Sequence, residues 1–255
     1  MTKKLLGLPA LSAATLLAAV AASPAQALTV TGSGAGFNGA TLDAQATFDI
    51  GGDVLTITLT NLADADEELG GLDTPANTLS GLFFDFAGSP ALTKDAATIT
   101  AGSLLQGGTC SIGPCDASTT DVGGEFGFAT SWSGGPSAGY GISSSGYIGG
   151  EGTLFGGANL DNPAAPDGIN FGIISSLGVY NPNGGLAGDP VIQDTVTFTF
   201  NGASGLLVSD ISNVSFQYGT SFAESNIPGV PVPAALWLFG SGLLGLAGVA
   251  RRRRS

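Results

Sequence analysis

The chain is predicted to be all-β: a single antiparallel β-sandwich, jelly-roll-like, set between an N-terminal signal helix and a C-terminal transmembrane helix. Three observations predict it. Apolar residues alternate with period two through the interior, where no helical periodicity appears. Clusters of Gly, Asn, Asp and Pro separate the alternating runs. Long uncharged apolar runs are confined to the two ends, which accounts for a mean hydropathy of +0.34.

The strands follow in order. Thr41 to Ile50 is the first expected strand, and Gly51-Gly52 turns it back into Asp53 to Thr60. There Leu55, Ile57 and Leu59 share one face, while Thr56, Thr58 and Thr60 share the other. Leu79 to Phe86, Ala96 to Leu104, Glu125 to Trp132 and Gly168 to Ser175 are expected next. Asp194 to Phe200 repeats the alternation with Val196, Phe198 and Phe200 inward. Ile211 to Tyr218 does so with Val214, Phe216 and Tyr218. Asn181 to Gly185 and Asn201-Gly202 supply turns. The outer faces are rich in Thr and Ser.

Charge excludes several function classes. The chain holds 7 Lys and Arg against 20 Asp and Glu, with no His, for a net charge of −13. Six of the bases are Lys3, Lys4 and Arg251 to Arg254, so Lys94 is the one base of the interior. Such a surface cannot neutralise a row of phosphates, which excludes nucleic acid as a partner. Without His there is no Ser-His-Asp or Cys-His catalysis and no imidazole metal site. The scarcity of fixed cations argues against phosphoryl transfer.

Residues 1–27 read as a signal peptide. Lys3-Lys4 precede an apolar stretch from Leu5 to Ala22. Pro24 breaks the helix just before Ala25-Gln26-Ala27, whose small residues fit signal peptidase. Cleavage is expected after Ala27, with export through the Sec machinery.

Residues 227–255 form a three-part tail. Val230-Pro231-Val232-Pro233-Ala234 holds the chain extended and keeps a helix from starting earlier. Ala234 to Ala250 is an uncharged run of 17 residues. As a helix it would reach about 26 Å, a marginal span of a ~30 Å hydrocarbon core. Arg251, Arg252, Arg253 and Arg254 follow at once and orient the tail with its end in the cytoplasm. Gly240, Gly242, Gly245 and Gly248 weaken the helix, which suits transient residence better than a permanent anchor.

This tail resembles the PEP-CTERM sorting signal of Gram-negative bacteria, in its Val-Pro-x-Pro-Ala variant. The resemblance implies recognition by exosortase, a membrane-embedded processing enzyme, with Pro231 and Pro233 as the motif prolines. Val232 fills the place that is Glu in the name-giving version. It also implies transient anchoring in the inner membrane, then delivery to the cell surface or extracellular matrix, and a link to exopolysaccharide and biofilm. The interior resembles exosortase-dependent surface proteins more weakly, through Leu79 to Asp85, Tyr140 to Gly146, Pro166 to Ile174 and Asp210 to Gly219. That likeness implies no activity.

Residues 28–226 are the expected exported domain, and its candidate sites are few. Cys110 and Cys115 flank Ser-Ile-Gly-Pro and, in an oxidising compartment, are expected to form a disulfide closing a small loop. Asp64, Asp66, Glu67 and Glu68, with Asp161, Asp167 and Asp189 in turns, lack calcium-loop spacing and read as solvated acidic loops, so no metal and no cofactor is expected. Trp132 and Tyr140 flank a Gly/Ser-rich tract, from which they could stack on sugar rings or simply cover the sheet. No carboxylate pair is singled out for catalysis. The chain is therefore expected to be a structural or adhesive surface protein and not an enzyme. The alternative is a carbohydrate-binding module or carboxylate-dependent glycosidase delivered by the same route.

Overall fold

Period-two alternation of burial is realised along Thr41 to Asp49, Val54 to Asn61 and Val196 to Asn201 in the computed structural model. It describes residues 26–36, 40–63, 74–106, 121–130, 136–145, 158–159, 170–177, 190–220 and 222–232. The strands are β1 (Gln26–Ala35), β2 (Thr41–Gly51), β3 (Val54–Asn61), β4 (Leu79–Phe86), β5 (Thr93–Ile99), β6 (Leu104–Gln106), β7 (Gly127–Thr130) and β8 (Tyr140–Ser143). They continue with β9 (Ala158–Asn159), β10 (Ile173–Ile174), β11 (Val191–Gln193), β12 (Thr195–Asn201), β13 (Ile211–Tyr218), β14 (Asn226–Pro228) and β15 (Val230–Pro231). Among the described residues, helix is limited to three short 3-10 turns.

The strands form two sheets. The first has the order β15-β1-β2-β3-β12-β5, antiparallel throughout. The second has the order β6-β11-β10-β4-β8-β7-β9, with β13 along the other edge of β4 and β14 beyond it. β10 and β11 run parallel, so the expectation of antiparallel pairing throughout is corrected there. One residue links the sheets beside this pair: Asp194, at φ 90°, turns β11 of the second sheet into β12 of the first. Its amide hydrogen bonds Ile174 O at 2.9 Å and its carbonyl accepts from Asn61 N at 3.1 Å.

Each sheet contributes one apolar face to a shared core. From β2 and β3 come Leu42, Ala44, Ala46, Phe48, Leu55, Ile57 and Leu59, all at most 1% exposed, and the residues between them are partly exposed. Phe48 meets Phe84 edge-on with ring centres 5.4 Å apart, and Phe126 meets Phe198 at 5.0 Å. Burying an aromatic or aliphatic side chain contributes about 1.5–3 kcal/mol, so this layer supplies most of the driving force. β4 is buried on both faces: Phe83 points away from the main core into a small cluster with Ala129, Ala138 and Phe222.

Most of the expected strands are present. The expected run Ala96 to Leu104 is instead two strands, β5 and β6, because Gly102 takes φ 99° in the turn between them. Within the expected run Glu125 to Trp132, β7 begins only at Gly127 because Gly123–Glu125 forms a 3-10 turn. The predicted signal helix and transmembrane helix lie outside the described residues. Among the described residues no helix is long and apolar enough to cross a membrane.

Candidate functional site

The two ends of the described chain meet at one sheet edge. β14 pairs with β13 in the second sheet, and the next strand, β15, pairs with β1 in the first. The chain therefore changes sheet at Gly229. Its amide donates to Val214 O at 2.7 Å, and a side-chain carbon there would lie 2.5 Å from Val30 Cγ1. Only a residue without a side chain passes through that gap.

Beyond Gly229, Val230 lies opposite Thr31 and Pro231 opposite Val30, and Val232 donates its amide to Thr29 O at 2.8 Å. Residues alternate in the direction of their backbone polar groups along an antiparallel pair. Val232 faces β1, so the Pro231 nitrogen faces outward at the edge, where a missing N–H costs no ladder bond. Val230 is 65% exposed, so the strand is held by backbone pairing more than by burial.

β1 itself was not expected as a strand. Leu28, Thr29, Val30 and Thr31 alternate, but Gly32 and Gly34 interrupt the pattern with residues disfavoured in strands. The reason is packing across the sheets. A side-chain carbon at Gly32 would stand 2.6 Å from the Phe216 ring, and one at Gly34 would stand 3.0 Å from Ile227 Cδ1.

Of the expected site residues, Ala27 lies in β1 opposite Asp49, and Val230, Pro231 and Val232 stand along the same strand's other edge. Ala25, Cys110, Cys115, Pro233, Ala234 and Arg251 to Arg254 lie outside the described residues. So do Asp64, Asp66, Glu67, Glu68, Trp132, Asp161, Asp167 and Asp189.

Tyr140 requires a correction. It belongs to β8 and is 3% exposed, stacked on Phe84 at 5.3 Å and on Phe128 at 6.2 Å. Its hydroxyl donates to Pro90 O at 2.5 Å, and burial raises its pKa. It is a core residue and presents no ring to a sugar. The Gly and Ser around it read as a loop because Gly141 and Ser143 carry no hydrophobic pattern, yet both are buried in the ladder.

A buried polar centre also escaped the sequence reading. Asn61, fully buried at the end of β3, donates to Asn77 O at 3.0 Å and Ile173 O at 2.7 Å. Its Oδ1 accepts from Ala63 N at 2.9 Å and from the Tyr218 hydroxyl at 3.3 Å. The single Tyr218 hydroxyl proton is shared with Asp43 O, the nearer acceptor at 2.7 Å. The Asn61 amide thus joins β3 to β10 and β13 and, through the Tyr218 hydroxyl, to β2, a structural role. Among the described residues no group of three His, Cys, Asp or Glu could hold a metal ion.

Comparison of the chain with family models, with curated proteins and with solved structures returned no match.

Proposed function

We propose that this chain is an exported surface or extracellular-matrix protein, released from transient inner-membrane anchoring by exosortase, with a structural or adhesive role and no catalysis of its own. In this reading residues 28–226 are a single jelly-roll-like sandwich between two processed ends, and the partners are Sec, signal peptidase, exosortase and exopolysaccharide. The observation that carries it is the order of three elements at the end of the chain: the Val230 to Ala234 proline motif, the uncharged run to Ala250, and Arg251 to Arg254. The extended backbone of Val230 to Val232 is compatible with a processing motif, and the His-free, cation-poor composition supports the non-catalytic part.

The test is the intact mass of protein extracted from the cells that make it. The account expects loss of residues 1–27 and of the tail beyond the proline motif, with any glycan as added mass. A mass equal to the full 255-residue chain contradicts it.

A further inference from the structure

Prolines stand at outward-facing positions of the last two strands. In an antiparallel pair the backbone groups of successive residues point alternately at the partner strand and away from it. Along β14, Gly229 donates to Val214 O at 2.7 Å, and Ser225 O accepts from Tyr218 N at 2.9 Å. Ile227, between them, therefore faces β13, while Asn226 and Pro228, opposite Gln217 and Ser215, face away from it. Along β15, Val232 faces β1 through Thr29, Val230 does so two residues earlier, and Pro231 faces away. From Ile227 to Val232 no N–H points outward, although among the described residues this strip closes one edge of each sheet.

We propose that the strip from Asn226 to Val232 is a guard that stops a second copy of this chain from adding a strand to either sheet. An added strand exchanges bonds with every second residue of the edge, and an edge that offers carbonyls without donors supplies only half of them. Proline in a strand is tolerated only where its nitrogen faces out, so its direction alone says nothing of purpose. Pro228 separates the guard from tail sorting: it lies ahead of the Val230 to Ala234 motif and on the other sheet, where a processing motif gives no reason for it. Val230 makes a guard necessary, because it is 65% exposed and an apolar residue on an open edge favours association.

The remaining edges are closed by other means. At the far side of the first sheet, β5 shifts its register against β12 at Asp95, and Val122 donates to Ala97 O at 2.8 Å on its outer side. β6 and β9, which end the second sheet among the described residues, are three and two residues long. Bulges, coverings and very short strands are the other devices that blunt sheet edges, and on the β14 and β15 strip the device is proline. None of this depends on the tail being a sorting signal.

The test is sedimentation equilibrium of the full chain in detergent micelles, which gives wild type and variants the same ends. The double variant Pro228→Thr, Pro231→Thr creates two outward N–H groups and removes no ladder bond, so its thermal unfolding should be unchanged. It should self-associate at least about tenfold more tightly than wild type, since each net hydrogen bond is a factor of about two to ten. Amide exchange at the two substituted positions should slow as protein concentration rises. Val230→Thr is the control: it places the same side chain on the strip, its N–H is directed at β1, and it should associate as wild type does. If the double variant fails to fold, Pro228→Thr alone is read, with a smaller gain and the same protection at position 228 expected. Association no tighter than wild type, equal tightening by Val230→Thr, or tightening without protection of the new amides overturns the proposal. Tail processing is read separately by intact mass, so either account can fail without the other.

Discussion

Val232 donates its backbone hydrogen to the carbonyl of Thr29 at 2.8 Å, so the last described residues are bonded to the first strand. Ala27 stands in that strand opposite Asp49, and Val230 opposite Thr31. Ala27 and Val230–Pro231, from the two segments proposed to be processed, are therefore ladder positions in the folded chain. A protease cleft binds an extended substrate through the same backbone groups that a ladder uses. On the proposed sorting account, signal-peptide removal would precede the joining of β1 to β2, and access to the proline motif would require β15 to lift from β1.

Gly229 is where this connection is most easily damaged. Gly229→Val would drive a side chain into Val30 and the Val214 carbonyl. The expected cost is about 1–3 kcal/mol of unfolding free energy, the usual range for overpacking. Amide exchange at Val232 should quicken in parallel, because its bond to Thr29 depends on the same path. Unchanged stability and exchange in the variant would contradict the close passage.

Asn61→Ala tests the polar centre. The substitution strips partners from the buried Asn77 and Ile173 carbonyls and from Ala63 N. Each buried group left unbonded costs about 1–3 kcal/mol, so a loss of at least about 3 kcal/mol is expected in denaturant titration. Tyr218→Phe removes the hydroxyl bonds to Asp43 O and Asn61 Oδ1 and should cost less, since the ring stays in place.

The same tyrosine sets an alkaline limit. Burial, chiefly, and the negative charge of Asp43 raise the pKa of Tyr218 far above its ordinary value. Below about pH 10 the phenol is neutral in both folded and unfolded chains, and its contribution to stability is constant. Above that, the unfolded chain releases a proton that the folded chain retains, so stability falls by about 1.4 kcal/mol per pH unit. Unfolding titrations from pH 8 to 11 should show this decline, and Tyr218→Phe should reduce its slope. An identical slope in the variant would mean that Tyr218 is not held neutral by the fold.

The sequence was legible where one face is apolar and the other polar. β2, β3 and β12 follow this rule, and their inward residues are the buried ones. It was illegible where both faces are covered or where backbone packs against side chains. β8 reads as Tyr-Gly-Ile-Ser, buried at all four positions, so alternation had nothing to report. In β1, Gly32 and Gly34 leave room for Phe216 and Ile227, and the information lies in residues nearly two hundred positions away. β14 and β15 are too short to carry a period. The Asn61 centre is assembled from five separate segments, and a lone asparagine at a strand end gives no sign of it.

The most direct test of the sorting account is the double variant Pro231→Ala, Pro233→Ala. Because the Pro231 nitrogen faces away from β1, alanine there leaves the bond from Val232 to Thr29 in place, and the change bears on recognition more than on folding. Membrane fractionation with detection of the tail is the measurement. The account predicts that tail-bearing precursor accumulates in the inner membrane while surface display falls, as it would for the wild type in cells without exosortase. If the double variant reaches the surface at wild-type levels with its tail removed, the prolines are not read by the processing enzyme, and the account is contradicted.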